Sequence, residues 1–133
     1  MGTTMDAAFV IDLLNRQPAA LAKALAMENA KASTFLTAPV LYEVLAGVLH
    51  SQSRTEASAF RSFAGRFPIL SFDEPSARRA AEVRAEFMRL GRAKPGVDVM
   101  IAGIALNGDH ALVTRDGDFA AISEEFGLRV EPY

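Results

Sequence analysis

Five short runs of apolar or β-branched residues recur along this chain with helical patterns between them, and that alternation constrains the fold more than any other feature. The runs are Thr3 to Met5, Thr34 to Leu36, Ile69 to Phe72, Ala111 to Thr114 and Leu128 to Val130, each bounded by turn-forming residues. Between them the patterns predict helices over Ala7 to Arg16, Pro18 to Lys31, Pro39 to His50, Arg54 to Arg66, Pro75 to Leu90 and Val97 to Asn107, with a short one near Ala120 to Phe126. Parallel neighbours in a sheet need a crossover, which such helices supply, so the expected class is α/β with a mostly parallel central sheet. The first run has only Met5 as a strongly apolar residue, and its assignment leans on the helix that follows.

Local signals sharpen several boundaries. Val97, Met100, Ile101, Ile104 and Ala105 follow the i, i+3, i+4, i+7, i+8 stripe of a helix docked on a core, and Gly108 stops it. Pro39 and Pro75 stand where a first helical turn tolerates proline, and Asp73 is placed to cap the helix after it. Phe60, Phe63 and Phe67 keep helical spacing, which reads as core packing or an oligomer face rather than a base-stacking platform.

The 133 residues fit one domain spanning 1–133, and no internal repeat or linker divides them. The chain has no cysteine, which excludes disulfides and thiolate zinc sites and is compatible with a cytoplasmic location. Asp6 and Asp12 interrupt the first apolar stretch, against a signal peptide, and no apolar run is long enough for a membrane span. Fourteen basic and sixteen acidic side chains give a net charge of −2, so a nucleic-acid partner must meet a local basic patch. Arg78, Arg79, Arg84, Arg89, Arg92 and Lys94 form the densest one; phosphate contact and a solvated helix face are both open readings of it.

Chemistry in a parallel sheet collects where strands end and the following helices begin. Asp6 follows the first run, Asp116 the fourth, and Glu43 lies about a turn inside the helix after the second. Asp98 opens the helix that precedes the fourth run, so its N-terminus returns to the same edge. Each acid has a plainer reading. Asp6 and Asp98 suit a helix start, Asp116 with Gly117 is a common turn pair, Asp118 suits a cap, and Glu43 points away from the apolar stripe of Val40, Leu41, Val44, Leu45 and Val48. Asp73 and Glu74 also follow a run, so position alone does not select four acids. Other chemistries fare worse. His50 and His110 are isolated and expected at the surface, no G-x-S-x-G motif is present, and Gly103 to Gly108 is followed by Asp109 and His110 instead of the Lys and Ser or Thr of a phosphate-binding loop. Asp116 and Asp118 form a D-x-D pair after a strand, as in phosphatases, but too few residues follow for such a fold.

The segment Gly96 to Phe119, GVDVMIAGIALNGDHALVTRDGDF, resembles the C-terminal signature of PIN domains: an Asp opening an IA-rich helix, then a strand ending in Thr-x-Asp. MDAAFVIDLL with Asp6 is similar to that family's Asp-led entry, and APVLYEVLAGV with Glu43 to its second motif. The likeness runs along essentially the whole chain and is nearest to VapC-type toxins of toxin–antitoxin pairs. It implies a three-layer α/β/α domain with strand order 3-2-1-4-5, and Asp6, Glu43, Asp98 and Asp116 binding Mg²⁺ or Mn²⁺, with Asp118 supplementing or replacing Asp116. It further implies a metal-dependent endoribonuclease acting on single-stranded or looped RNA and leaving a 5′-phosphate, a homodimer, and a VapB-like antitoxin partner whose helix covers the acidic groove. Ala7 and Ala8 depart from the small polar residue usual after the first Asp, which removes an expected partner of Asp6. That departure supports the alternative of a catalytically weakened PIN-like module that binds RNA or protein. Thr114 is open to orienting Asp116 or touching phosphate, and Arg115 to contacting the backbone, against packing and solvation.

Overall fold

The structure is a computed structural model describing residues 2–133. Five strands are present among the described residues: β1 (Thr3–Met5), β2 (Thr34–Thr37), β3 (Ile69–Leu70), β4 (Ala111–Val113) and β5 (Val130–Glu131). The helices are α1 (Ala7–Leu14), α2 (Pro18–Asn29), α3 (Ala38–Ser51), α4 (Arg54–Ala64), α5 (Glu74–Arg89), α6 (Gly96–Asn107) and α7 (Asp118–Phe126). The strands form one sheet in the order β3-β2-β1-β4-β5, and every pairing is parallel. Right-handed crossovers then put α1 to α4 on one face and α5 to α7 on the other, in keeping with the packing of α1 on α2 and α3 and of α6 on α5 and α7.

β1 is the central strand although its sequence is Thr-Thr-Met, and all three residues are buried. The hydroxyl is what makes this tolerable: Thr4 Oγ1 donates to the carbonyl of Ala111 at 2.8 Å, so the polar atom enters the core already paired. Thr3 lies opposite Thr34 on one side and Ala111 on the other, which fixes the register of the strand ends that follow.

The second layer depends on α6. Val99, Ile101, Ala102, Gly103, Ile104 and Ala105 are all buried, so the helix is covered nearly all round, whereas the simple stripe expected Met100 inside and it is 36% exposed. The cause is a close approach of α5: a Cβ at Gly103 would come within 2.6 Å of the Ser76 carbonyl oxygen and 2.7 Å of the Ala80 Cβ. Gly108 ends the helix with an ordinary φ of −92°, and the left-handed residue is the next one, Asp109, at φ 53°. A side chain at Gly108 would meet the His110 imidazole. His110 is half-buried against Phe35, ring centres 5.1 Å apart, rather than at the surface as its isolation suggested; His50 is exposed.

Boundaries move by a residue or two where the backbone turns. α1 ends before Arg16 and α2 before Lys31 because both residues are left-handed, at φ 57° and 55°. β3 is shorter than expected, and the last strand pairs through Val130 and Glu131 rather than Leu128 to Val130. Leu128 is fully buried instead, serving the core and not the ladder.

Candidate metal centre

The carboxyl ends of β1 and β4 are tied together by one chain of hydrogen bonds. The backbone N–H of Asp6 donates to the Val113 carbonyl at 3.2 Å, carrying the ladder one residue past β1. Asp6 then caps α1: one carboxylate oxygen accepts from the Phe9 N–H at 2.8 Å. The other accepts from the Thr114 hydroxyl. Thr114 Oγ1 in turn accepts from the Asp116 N–H at 2.9 Å, and the Asp116 carboxylate accepts from the Asp118 N–H at 2.9 Å. Thr114 therefore orients Asp6 and Asp116 at once, and it supplies the partner whose loss Ala7 and Ala8 suggested. The Thr-x-Asp spacing was visible in the sequence; its pairing with a residue 108 positions away was not.

Asp98 arrives from the other direction, in the first turn of α6. Pro95 occupies the cap position and no side chain caps this helix, so the Asp98 carboxylate is left free for the groove. Oxygens of Asp98, Asp116 and Asp118 lie within 4.8 Å of one another; Asp98 is half-buried and the other two are exposed. Asp118 opens α7 without capping it.

Burial and mutual repulsion raise the carboxyl pKa values here. Asp98 is pushed up to about 6, first by desolvation and then by the charges of Asp116, Glu43, Asp118 and Asp6. Asp6 is also raised, by burial outweighing its two hydrogen bonds, with Asp116 adding to the effect. Glu43, exposed on α3, is raised by partial desolvation and by Asp6. Asp98 thus responds to the other four acids, Asp6 to Asp116, and Glu43 to Asp6. Three of them, Asp98, Asp116 and Asp118, are in mutual ligand range, whereas buried Asp6 already accepts at both oxygens and exposed Glu43 lies outside that group.

A cluster of carboxylate oxygens, with repelled charge at its centre, fits a hard divalent cation such as Mg²⁺ or Mn²⁺ and does not fit a soft one. Asp73 is not part of this group; it caps α5 by accepting from the Ser76 N–H at 3.0 Å. Arg115 is likewise committed elsewhere, donating to Asp12 at 2.8 Å, and Asp12 also accepts from the Tyr133 hydroxyl at 2.6 Å. The residue that sequence reasoning left undistinguished is Lys94, whose ammonium lies 3.7 Å from Asp118 and whose side chain is only 11% exposed.

A parallel 3-2-1-4-5 sheet with acids gathered at the ends of its two middle strands defines an α/β domain built around an acidic edge. The chain belongs to the PIN domain family, whose profile matches residues 4–125. It is similar in structure to VapBC2 from Rickettsia felis bound to a DNA fragment from its promoter, at 21% identity and a TM-score of 0.87, covering 100% of this chain and 99% of that one. FitAcB from Neisseria gonorrhoeae is similar at 24% identity and a TM-score of 0.79, over 96% and 95% of the two chains. A toxin–antitoxin complex from Klebsiella pneumoniae is similar at 22% identity and a TM-score of 0.73, over 90% and 92%. No curated protein matches the chain. Among the described residues no helix is long and apolar enough to cross a membrane.

Proposed function

We propose that this protein is a divalent-metal-dependent endoribonuclease, the VapC-type toxin of a toxin–antitoxin pair, acting in the cytoplasm as a single domain. The observation that carries the reading is the convergence of Asp98, Asp116 and Asp118 within 4.8 Å, beside a buried Asp6, at the carboxyl edge of a PIN fold. Asp98, Asp116 and Asp6 would hold the ion, with Glu43 completing the set from the rim and Asp118 supplementing or replacing Asp116. A bound Mg²⁺ or Mn²⁺ supplies an activated water and stabilises charge on the phosphoryl and leaving oxygens. The chain's own part is positional. Thr114 fixes Asp6 and the Asp116 backbone, so two ligands keep their separation, and Phe9 N–H fixes the second oxygen of Asp6. Asp98, pushed up to about 6, stays mostly ionised at neutral pH, and a cation would relieve its repulsion from the neighbouring acids.

The structural neighbours support a small VapB-like antitoxin as partner. An apolar groove of about 580 Å³, lined by Phe9, Leu13, Leu21, Leu25, Phe63 and Phe67, gives an amphipathic helix a surface to cover. Tyr42, Leu45 and Leu49 are exposed along α3 at helical spacing, which supports a homodimer. The test of function is cleavage of single-stranded RNA in Mg²⁺, Mn²⁺ or EDTA by the wild type and by Asp98→Asn. Cleavage is expected with metal and wild type only; cleavage in EDTA, or equal rates in the mutant, would sink the proposal and favour a PIN-like binding module.

A further inference from the structure

An acidic edge repels the polyanion it is read to cut, and a chain of net charge −2 offers no general attraction to offset this. Cations close to the cluster must do so, and α5 together with the loop that leads from it to α6 holds them. Of the six basic residues in that segment, Arg78, Arg79 and Arg89 are paired along their own helix with Glu74, Glu82 and Glu86. Arg84 and Arg92 pair with no carboxylate among the described residues, and Lys94 meets Asp118 at a distance too long for a hydrogen bond.

Two of these three cations share one aromatic ring. The Arg92 guanidinium and the Lys94 ammonium both sit on the buried Phe87 ring, 5.8 and 5.3 Å from its centre. An aromatic face holds a cation in place without consuming its hydrogen-bond donors, which leaves those of exposed Arg92 to a ligand, while Lys94, mostly buried, contributes its charge. Arg84 reaches the start of α6, where its guanidinium lies 3.9 Å from the Cβ that Gly96 lacks, two residues before Asp98. Lys94 touches the acidic cluster itself.

We propose that Arg84, Arg92 and Lys94 form a phosphate-holding rim that grips the backbone of single-stranded RNA beside the scissile bond and seats it on the acidic edge. The proposal rests on the ribonuclease reading for its ligand and goes beyond it in assigning the residues that bind. Arg84 and Arg92 present planar forks suited to phosphate oxygens, and Lys94 is the point charge nearest the carboxylates.

The test is fluorescence anisotropy of a labelled single-stranded RNA with Asp98→Asn protein, which keeps the strand intact. In that background the rim triple Arg84→Gln, Arg92→Gln, Lys94→Gln is compared with Arg78→Gln, Arg79→Gln, Arg89→Gln, which removes the same charge from the same segment. The rim triple should weaken binding at least about tenfold and lower the salt slope of log affinity by about 2, at roughly 0.7 per phosphate contact, while the control stays within about twofold. Arg84→Gln and Lys94→Gln alone should each carry part of the loss, which keeps the test open if the triple folds poorly by circular dichroism. Equal losses in the two triples, an unaffected rim triple, or no RNA binding with the rim intact would overturn the proposal. Wild-type cleavage with no rim effect would sink the rim alone; a rim effect without metal-dependent cleavage would sink the ribonuclease reading alone.

Discussion

Asp6 and Asp73 do the same local job at two ends of the sheet and end in opposite electrostatic states. Each follows a strand, each stands at a helix N-cap in extended backbone, and each accepts from the N–H three residues on. Asp6 is buried and its carboxyl is raised by desolvation and by Asp116; Asp73 is exposed and its carboxyl is lowered by its bonds to Ser76. The difference lies in the strand, not the motif. β1 is central, with β2 and β4 on either side and the crossovers leaving in opposite directions, so its end opens onto the switch point where other acids gather. β3 is an edge strand, and its end faces water.

The comparison breaks most visibly in catalysis. Asp6→Asn keeps the cap, since asparagine caps as well as aspartate, but removes a charge from the site; Asp73→Asn makes the same exchange where no site exists. Under the proposed function, Asp6→Asn should lower metal-dependent RNA cleavage by about ten- to a hundredfold, the scale on which lost support impairs metal sites, while Asp73→Asn leaves most activity. Rates measured in Mn²⁺ on folded protein check this. Comparable severe losses at both positions would show that the wrong acids have been assigned.

A second effect reaches both ends through the packing beneath them. Asp73 starts α5, α5 lies against α6 at Gly103, and α6 carries Asp98. Gly103→Ala places a methyl where the Ser76 carbonyl and Ala80 already sit, and backbone cannot yield as a side-chain tip can. The substitution should cost about 1–3 kcal/mol of stability, read from urea unfolding, while Gly47→Ala, on α3 with open space around its Cβ, should not destabilise. A neutral Gly103→Ala would mean that the two helices do not meet as closely as described.

Strand and helix alternation, with punctuation at Pro39, Pro75 and Gly108, made the architecture readable from the sequence, because these are local signals. Asp98 and Asp116 could be placed on one edge by the same logic, since a helix start and a strand end adjoin in any such sheet, whereas Asp118 read as a cap and came in only through the family resemblance. What stayed hidden depended on long-range pairing. Thr4 reads as a weak strand residue until its hydroxyl meets Ala111, Thr114 reads equally as packing or as a partner of Asp116 or phosphate until it meets Asp6, and His110 reads as surface until Phe35 packs on it. Lys94 belonged to an undivided basic segment, and only the ion pairs of Arg78, Arg79 and Arg89 separate the cations that face the site from those that serve the helix.

Stability measurements sharpen the electrostatic half of the comparison. Asp98 has its folded-state carboxyl raised to about 6, so the folded protein holds a proton that the unfolded chain releases, and stability falls as pH rises from the usual carboxylate range through about 6. Asp98→Asn removes that penalty. In EDTA at neutral pH it should be more stable than the wild type by on the order of 1 kcal/mol after allowing for solvent screening, and the advantage should fade in acid. Metal should reverse the order, because only the wild type gains the binding free energy that linkage adds to the folded state. Thermal melts across a Mg²⁺ or Mn²⁺ titration at fixed ionic strength decide this; identical metal shifts in both proteins would refute a converging site.

The smallest effect carries the opposite sign. Asp73 has a lowered carboxyl, so it contributes stability that is present above the unfolded value and disappears as pH falls through the folded one. Asp73→Asn preserves the bond to the Ser76 N–H but loses the negative charge at the start of α5, where the helix dipole favours it. Its melting temperature should therefore drop slightly at neutral pH, and the gap should close as pH falls from about 4 through the lowered folded value, where Asp73 itself becomes neutral. EDTA and metal should leave that gap alone, since Asp73 belongs to no group of three acids in mutual ligand range among the described residues. Asp6→Asn, measured beside it in EDTA, should shift the other way, upward at neutral pH, because desolvation and Asp116 outweigh the two bonds that favour its charge. Two aspartates with matching caps and opposite pH responses would locate the distinction in the sheet; responses of the same sign would show that burial at β1 does not set the charge of Asp6.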